Sequence, residues 1–168
     1  GQKESETNFK NDKKEGLLTS WYENGQKRRE TNYKDGKEDG LWTEWDENGQ
    51  KIIEENYKNG KLNGLCTVFW HSTNDQKHIE TNYKDGKREG LSTDWYKTGQ
   101  KFSEVEYKND KKEGLSTSWY ENGQKRREKN YKDDKREGLE TFWNEEGNIY
   151  LTTTNKDGEL VGYQTFRE

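Results

Sequence analysis

A repeat of about 24 residues runs through the chain and restricts its fold more than any other feature. Each unit follows the pattern Gly-Gln-Lys-x-x-Glu-x-x-Tyr-Lys, then Asp or Asn, Gly or Asp, and Lys-x-x-Gly-Leu-x-Thr-x-Trp. The third unit is two residues longer, around Ser72 and Thr73. Because repeated units stack on their neighbours, we predict one repeat domain over residues 1–168. Its predicted units are 1–24, 25–48, 49–74, 75–98, 99–122, 123–146 and 147–168.

Two runs of alternating residues in each unit indicate a β-hairpin. The runs are separated by Asp-Gly or Asn-Gly pairs, such as Asp35-Gly36, which tolerate the positive φ of tight turns. Asn24-Gly25 and its equivalents supply turns of the same kind between units. The predicted fold class is therefore all-β, a single-layer antiparallel meander of about fourteen strands. In the last unit Asn155 and Arg167 replace aromatic residues, which is typical of a polar end cap.

Strand parity predicts which side chains share a face, because alternate residues point to opposite sides of a sheet. Every recurring Tyr, Leu and Trp is odd-numbered, and these residues share a face if the turn within a unit has three residues, such as Lys34-Asp35-Gly36. The predicted aromatic face carries Phe9, Leu17, Trp21, Tyr33, Leu41, Trp45, Tyr57, Leu65, Phe69, Tyr83, Leu91, Trp95, Tyr107, Leu115, Trp119, Tyr131, Leu139 and Trp143. The opposite face carries the charged column Glu30, Glu54, Glu80, Glu104 and Glu128, with Tyr22, Trp42, Trp70, Tyr96 and Tyr120 as a sparser aromatic stripe. The glycine before each leucine is expected to let a neighbouring ring lie against bare backbone.

Composition favours a thin, elongated fold. Only 24% of the residues are apolar and 38% are charged, which is too few apolar residues for a spherical core, but 13% are aromatic. Opposite charges alternate closely within a net charge of −4, so no nucleic acid partner is expected. No segment approaches the ~20 apolar residues of a membrane span, and the compartment stays open between cytoplasm and export. The chain starts inside a unit at Gly1, which predicts a processed or truncated start.

The irregular third unit holds the one candidate for chemistry. Cys66 and His71, with His78 just beyond the unit, could in principle supply a nucleophile with a base, or part of a metal site. No third ligand or orienting carboxylate stands at motif spacing, so the preferred interpretation is that Cys66 replaces the Ser or Trp of other units and that the histidines lie on a longer solvated turn. We predict that the chain is not an enzyme, with no catalytic residue, no metal site and no cofactor.

The sequences Tyr-Lys-Asp-Gly-Lys-Arg-Glu-Gly-Leu at 83–91 and Glu-Asn-Gly-Gln-Lys at 121–125 resemble the MORN repeat. They are most similar to the bacterial MORN variant of the YwqK-type antitoxins, and the likeness covers essentially the whole chain. The resemblance implies a curved, twisted sheet of hairpins with an aromatic-lined groove for protein association or, in eukaryotic relatives, for membrane phospholipids. Asp12, Asp110 and Asp134 depart from the pattern because they replace a turn glycine, which implies modest strain.

The leading functional prediction is a scaffold that binds a protein partner, as an antitoxin-like or a cell-surface protein, because Tyr and Trp dominate interface energetics. The alternative is a module that associates with lipid at a membrane surface, since Lys34, Lys37, Lys58 and Lys61 cluster at hairpin tips. Open terminal strands could also pair end to end into a homo-oligomer. The predicted partner-binding residues are Trp42, Trp70, Tyr96, Tyr120, Trp45, Trp95 and Trp119.

Overall fold

The computed structural model describes residues 4–71 and 75–166, and their regular structure is entirely β. The strands are β1 (Ser5–Lys10), β2 (Lys13–Trp21), β3 (Lys27–Lys34), β4 (Lys37–Trp45), β5 (Lys51–Lys58), β6 (Lys61–Phe69), β7 (Lys77–Lys84), β8 (Lys87–Trp95), β9 (Lys101–Lys108), β10 (Lys111–Trp119), β11 (Lys125–Lys132), β12 (Lys135–Trp143), β13 (Ile149–Lys156) and β14 (Glu159–Thr165). They follow one another in chain order in one sheet, so the predicted antiparallel meander of hairpin repeats is confirmed.

The chain packs into two compact halves, an N-terminal half (Gly1–Lys87) and a C-terminal half (Arg88–Glu168). The predictions that concern Gly1, Ser72, Thr73 and Arg167 lie outside the described residues. On either side of the insertion, the backbone N–H of Trp70 donates to the carbonyl of Gln76 at 2.8 Å.

The turn inside each unit is shorter than predicted. Lys34 is paired directly with Lys37, which leaves only Asp35 and Gly36 in the turn. Both have positive φ, 51° and 80°, and a two-residue turn with this geometry is type I′, whose twist matches that of the flanking strands. The prediction of a three-residue Lys34-Asp35-Gly36 turn is therefore wrong.

The links between units have the three-residue geometry that the sequence predicted for the turns inside the units. Tyr22 N–H donates to the carbonyl of Gln26 at 2.9 Å, and Gly25 N–H donates to the carbonyl of Tyr22 at 2.9 Å. Gly25 has a φ of 84°, as in a three-residue loop that ends in a glycine bulge. The side chain of Asn24 accepts the N–H of Gln26 at 3.0 Å, which explains the asparagine at this position. The two kinds of turn therefore differ, although both contain glycine.

The shorter turn within a unit and the bulge at each link together change which residues share a face. Cross-strand partners point to the same side, and Tyr57 lies opposite Gly40 while Trp42 lies opposite Glu55. Thr43, in contrast, lies opposite both Glu30 and Glu54. The prediction of one aromatic face shared by the Tyr, Leu and Trp columns is therefore wrong, as is the placement of the glutamate column on the other side. The two-residue turn puts odd positions of a first strand beside even positions of the second.

We define the two faces by their aromatic columns. The tyrosine face carries Tyr33, Tyr57, Tyr83, Tyr107 and Tyr131, each opposite the glycine of a neighbouring strand. The tryptophan face carries the Leu, Thr and Glu columns together with Trp21, Trp45, Phe69, Trp95, Trp119 and Trp143.

Contacts between neighbouring strands replace a central core. On the tryptophan face, threonines at the middle of five second strands are buried: Thr19, Thr43, Thr67, Thr93 and Thr117 are 4–7% exposed. A lysine at the start of the first strand covers the ring at the end of the second strand of the same unit, as where Lys27 Nζ lies 5.8 Å from the centre of the Trp45 ring and 2.6 Å from Glu30 Oε2. The same contacts recur at Lys101, Glu104 and Trp119. Stability is thus a sum over adjacent units.

Backbone geometry explains the recurring glycine better than contact with a ring. Gly40 and Gly64 have φ values of 120° and 117°, at the point where the register with the preceding strand shifts. A Cβ at Gly64 would lie 3.2 Å from the Cβ of Asn56. Other residues rarely adopt this conformation, so the glycine is required by the irregularity itself.

Asp110 and Asp134 adopt the left-handed conformation that glycine has in other units, with φ values of 70° and 67°. Each gains a hydrogen bond that glycine cannot make. Asp110 Oδ1 accepts the N–H of Arg88 at 2.9 Å, and Asp134 Oδ1 accepts the N–H of Lys112 at 2.8 Å. These bonds to the preceding unit offset the strain of the turn.

Candidate functional site

The tyrosine face carries the positions at which the units differ most. The residue after the repeated leucine is Leu18, Trp42, Cys66, Ser92, Ser116 or Glu140. Trp42 lies opposite Thr31 and Glu55, and Ser116 lies opposite Val105 and Lys129, so the variable residues stand next to one another across strands. The tryptophan face, in contrast, repeats the same contacts in each unit. Differences in function between units are therefore expected on the tyrosine face.

A cleft of about 450 Å³ opens on the tyrosine face of the C-terminal half. Its floor is low because Ser103, Val105, Ser116 and Ser118 are small, while aromatic rings and long cationic side chains stand around them. The volume is within the ~300–1,000 Å³ range of ligand sites. The lining residues are Asp94, Phe102, Ser103, Val105, Tyr107, Lys112, Ser116, Ser118, Arg126, Arg127, Lys129, Tyr131, Phe142 and Tyr150.

At one end of the C-terminal half, Glu140 is held in a buried polar network. It is 1% exposed and forms a close ion pair with Arg127, while Arg136 Nη1 lies 3.6 Å away. Thr153 Oγ1 and Asn155 Nδ2 donate to the same carboxylate at 3.2 and 3.3 Å. Asn155, which replaces the tyrosine of other units, is itself 2% exposed. Arg127 is thus committed to Glu140, although its guanidinium borders the cleft.

The other cations of the cleft rest on aromatic rings. Lys112 Nζ and Lys129 Nζ lie 5.3 and 5.2 Å from the centre of the Tyr131 ring, and the Arg126 guanidinium lies 5.8 Å from that of Tyr120. Within residues 4–71 and 75–166, none of the three forms an ion pair with a carboxylate. The cleft therefore presents positive charge that is not neutralised by the protein.

The tyrosine face of the N-terminal half has bulkier residues at the equivalent positions. Trp42 lies under the guanidinium of Arg29, 4.9 Å from the ring centre. Cys66 Sγ lies 3.7 Å from Glu55 Oε1, and the Tyr57 hydroxyl donates to Glu55 Oε2 at 2.8 Å. Burial, with the negative charge of Glu55, raises the pKa of Cys66 to about 12. The thiol therefore stays protonated at neutral pH and is a poor nucleophile.

The residues considered for chemistry in the third unit are not brought together. His71 Nδ1 lies 3.6 Å from Asp46 Oδ2, and His78 stacks on Trp70 with ring centres 3.7 Å apart. The hydrogen-bond partner of Cys66 is Glu55 rather than a histidine. In the part of the chain that the structure describes, no group of three or more His, Cys, Asp or Glu side chains could hold a metal ion.

A comparison with protein-family models matches the same repeat that the strands show in the structure. The model of the MORN repeat variant matches residues 14–35, 38–59, 88–109 and 112–133, which together make up more than half of the chain. This chain belongs to the MORN repeat variant family. Each matched segment runs from a second strand through the link between units to the next first strand. A search of curated proteins gave no match. Among the described residues, no helix is long and apolar enough to cross a membrane.

The predicted partner-binding rings lie at three places in the MORN repeats. Trp42 lies on the tyrosine face; Trp70, Tyr96 and Tyr120 lie at the links between units; and Trp45, Trp95 and Trp119 lie on the tryptophan face. The Tyr96 hydroxyl donates to the carbonyl of Trp119 at 2.9 Å, and that of Tyr120 donates to the carbonyl of Trp143 at 2.8 Å. These hydroxyls connect one unit to the next.

None of the predicted rings lines the cleft, and sequence reasoning missed the residues that do. The small residues that form the cleft floor occupy positions that the repeat pattern leaves undefined. The sequence signal that could have indicated the cleft was the run of small residues Ser116-Thr117-Ser118. Lys129 lies opposite Ser116 in this run.

Proposed function

We propose that this MORN repeat chain is a non-enzymatic scaffold that binds a partner protein through the tyrosine face of its C-terminal half. The observation that supports the proposal most is the cleft around Ser116, where charged and aromatic groups surround small residues. The recurring contacts of the tryptophan face stabilise the array. The variable positions of the tyrosine face do not take part in those contacts and can differ between units. Binding sites of this kind combine apolar walls with a few polar groups.

Site-specific photo-cross-linking tests the proposal. A benzophenone amino acid at Ser116 places the probe on the tyrosine face, and the same amino acid at the adjacent Leu115, which is 48% exposed, places it on the tryptophan face. We expect a protein adduct at Ser116 and none at Leu115 in cells of the native organism. The adduct is identified by mass spectrometry and reproduced with the purified partner. Equal adducts at both positions, or an adduct at Leu115 alone, would contradict the proposal.

Two roles fit such a scaffold. One is neutralisation of a toxin, as in the antitoxins that the repeats resemble, and the other is adhesion at a cell surface. The identity of the cross-linked protein distinguishes them, because an antitoxin forms its adduct with a toxin and an adhesin with a surface protein.

A second candidate function is association with an anionic lipid surface, and one observation favours it. In five of the described hairpins, two lysines lie directly opposite each other, a pairing that charge repulsion makes unfavourable and that an anionic surface would stabilise. We call these residues the lysine edge: Lys10 with Lys13, Lys34 with Lys37, Lys58 with Lys61, Lys108 with Lys111, and Lys132 with Lys135. In the last hairpin Lys156 lies opposite Glu159 instead.

Sedimentation with liposomes tests the lipid candidate. We expect binding to phosphatidylserine vesicles at low salt, weakening as salt screens the lysines, and none to neutral vesicles. Absence of sedimentation with anionic vesicles at low salt would rule this function out.

A further inference from the structure

We infer that the cleft of the C-terminal half binds an acidic peptide segment of the partner. The inference rests on the proposed function, because it names the chemistry of the partner that the tyrosine face would bind. Three features carry it: cations that form no ion pair among the described residues, an apolar residue on the floor beside them, and small floor residues that leave room for a chain.

The charge is concentrated and unpaired. Among the lining residues, Asp94 supplies the one carboxylate and accepts a hydrogen bond from Ser103 Oγ at 2.7 Å. Arg127 is offset by Glu140, which leaves Lys112, Arg126 and Lys129 facing solvent around the cleft. The net charge of −4 is spread over the whole chain, whereas a bound carboxylate senses mainly charges within the Debye length of about 8 Å. Local complementarity therefore favours an anion.

The positions of the cations favour a chain over a single small anion. Lys112 and Lys129 flank Tyr131, whereas Arg126 is three residues before Lys129 on β11, or roughly 10 Å along the strand. Two anionic groups on one chain match cations spaced in this way better than a single phosphate or carboxylate does. Val105 lies across Ser116 from Lys129 on the floor, where it offers an apolar contact to a side chain. An extended segment with carboxylates at both ends and an aliphatic residue between them fits this arrangement.

The chain contains its own control for the shape of the cleft. Ser116 occupies the position after the repeated leucine, and the N-terminal half has Trp42 at that position. Because the same strand position accepts an indole in another unit, Ser116→Trp is expected to fold. It fills the cleft floor without altering any charge.

Fluorescence anisotropy with labelled nonapeptides tests the inference. The probe is three copies of Glu-Val-Glu, and three copies of Gln-Val-Gln form the neutral control. We expect the acidic peptide to bind at low salt and the neutral one not to bind. Lys129→Gln and Arg126→Gln should each weaken binding about fivefold, the effect of one exposed ion pair. Ser116→Trp should abolish it.

A matched control isolates the face. Lys125→Gln removes the same charge from the same strand, but Lys125 lies on the tryptophan face, where it pairs with Glu128, so binding should be unchanged. Equal binding of both peptides, equal loss in Lys125→Gln and Lys129→Gln, or unaltered binding by Ser116→Trp would overturn the inference. Binding to inorganic phosphate or phosphatidylserine vesicles with no binding to the acidic peptide would also overturn it. Cross-linking at Ser116 does not depend on peptide charge, so the scaffold proposal can stand where this inference fails.

Discussion

The two faces of the sheet are stabilised in different ways. On the tryptophan face, one set of contacts recurs: a lysine over an aromatic ring, a glutamate beside that lysine, and a buried threonine, as at Lys101, Glu104, Thr93 and Trp119. On the tyrosine face, the recurring Tyr and Gly columns enclose positions that vary between units, such as Trp42, Cys66, Ser116 and Glu140. The comparison teaches that the repeat specifies one face almost completely and leaves the other available for specific sites.

The largest expected difference between the faces concerns two glutamates. Glu140→Ala on the tyrosine face leaves the buried Asn155 and the partly exposed Arg127 without their carboxylate acceptor, and we expect a loss of about 3 kcal/mol in the free energy of unfolding, the low end for a buried pair because Arg127 reaches solvent. Glu128→Ala on the tryptophan face removes a more exposed pair with Lys125 and should cost about 0.2–1 kcal/mol. Urea unfolding followed by tryptophan fluorescence measures both. Equal losses would break the comparison.

The next largest effect is expected at the register shift where the repeated glycine has a positive φ. Gly64→Ala puts a Cβ into a left-handed conformation and 3.2 Å from Asn56, so we expect a loss of roughly 2 kcal/mol. Gly162 occupies the same position of the last unit, where no atom lies within 4 Å of the added Cβ and no positive φ occurs. Gly162→Ala is therefore the matched control and should be nearly neutral in the same unfolding assay. A neutral Gly64→Ala would show that the irregularity does not require glycine.

A smaller effect is expected at the links between units. Tyr96→Phe removes the hydroxyl that donates to the carbonyl of Trp119, and a loss of about 1 kcal/mol should follow. Tyr163 is 74% exposed, so Tyr163→Phe serves as a control with no expected change. If Tyr96→Phe retains full stability but loses partner binding, the Tyr96 hydroxyl serves the partner interface, as the sequence predicted, and its hydrogen bond to the carbonyl of Trp119 does not stabilise the contact between units.

The fold could be predicted from the sequence because the repeat and the strand alternation are local signals. The assignment of faces could not. Asp35-Gly36 suits a two-residue type I′ turn and also the end of a three-residue turn, and the two choices place Tyr33 on opposite sides relative to Trp45. The cleft was missed for the same reason. The two-residue turn between β9 and β10 brings Val105 and Ser116 to one face, and the bulge at the following link adds Lys129, so residue types alone could not place these side chains together.

The smallest predicted effect is a pH dependence that distinguishes two equivalent links. Hydrogen bonds from the N–H of Gln50, above all, and of Asn48 lower the pKa of Asp46 below its ordinary value. Asp46 therefore adds stability above about pH 4, and this contribution is lost as pH falls through its lowered pKa in the folded state. Asn144 has the same position and accepts the N–H of Asn148 at 2.8 Å without a charge.

Exchanging these two side chains tests the cause. Asp46→Asn should flatten the dependence of the unfolding midpoint on pH below about pH 4, relative to the parent chain, and Asn144→Asp should steepen it. Thermal unfolding between about pH 2.5 and about pH 6, a range that spans the ordinary pKa values of carboxyl groups, compares both variants with the parent chain. Because the loop geometry is shared, an unchanged profile in both variants would mean that the hydrogen bonds at this link do not discriminate between a carboxylate and an amide. The link would then be set by its glycine bulge alone.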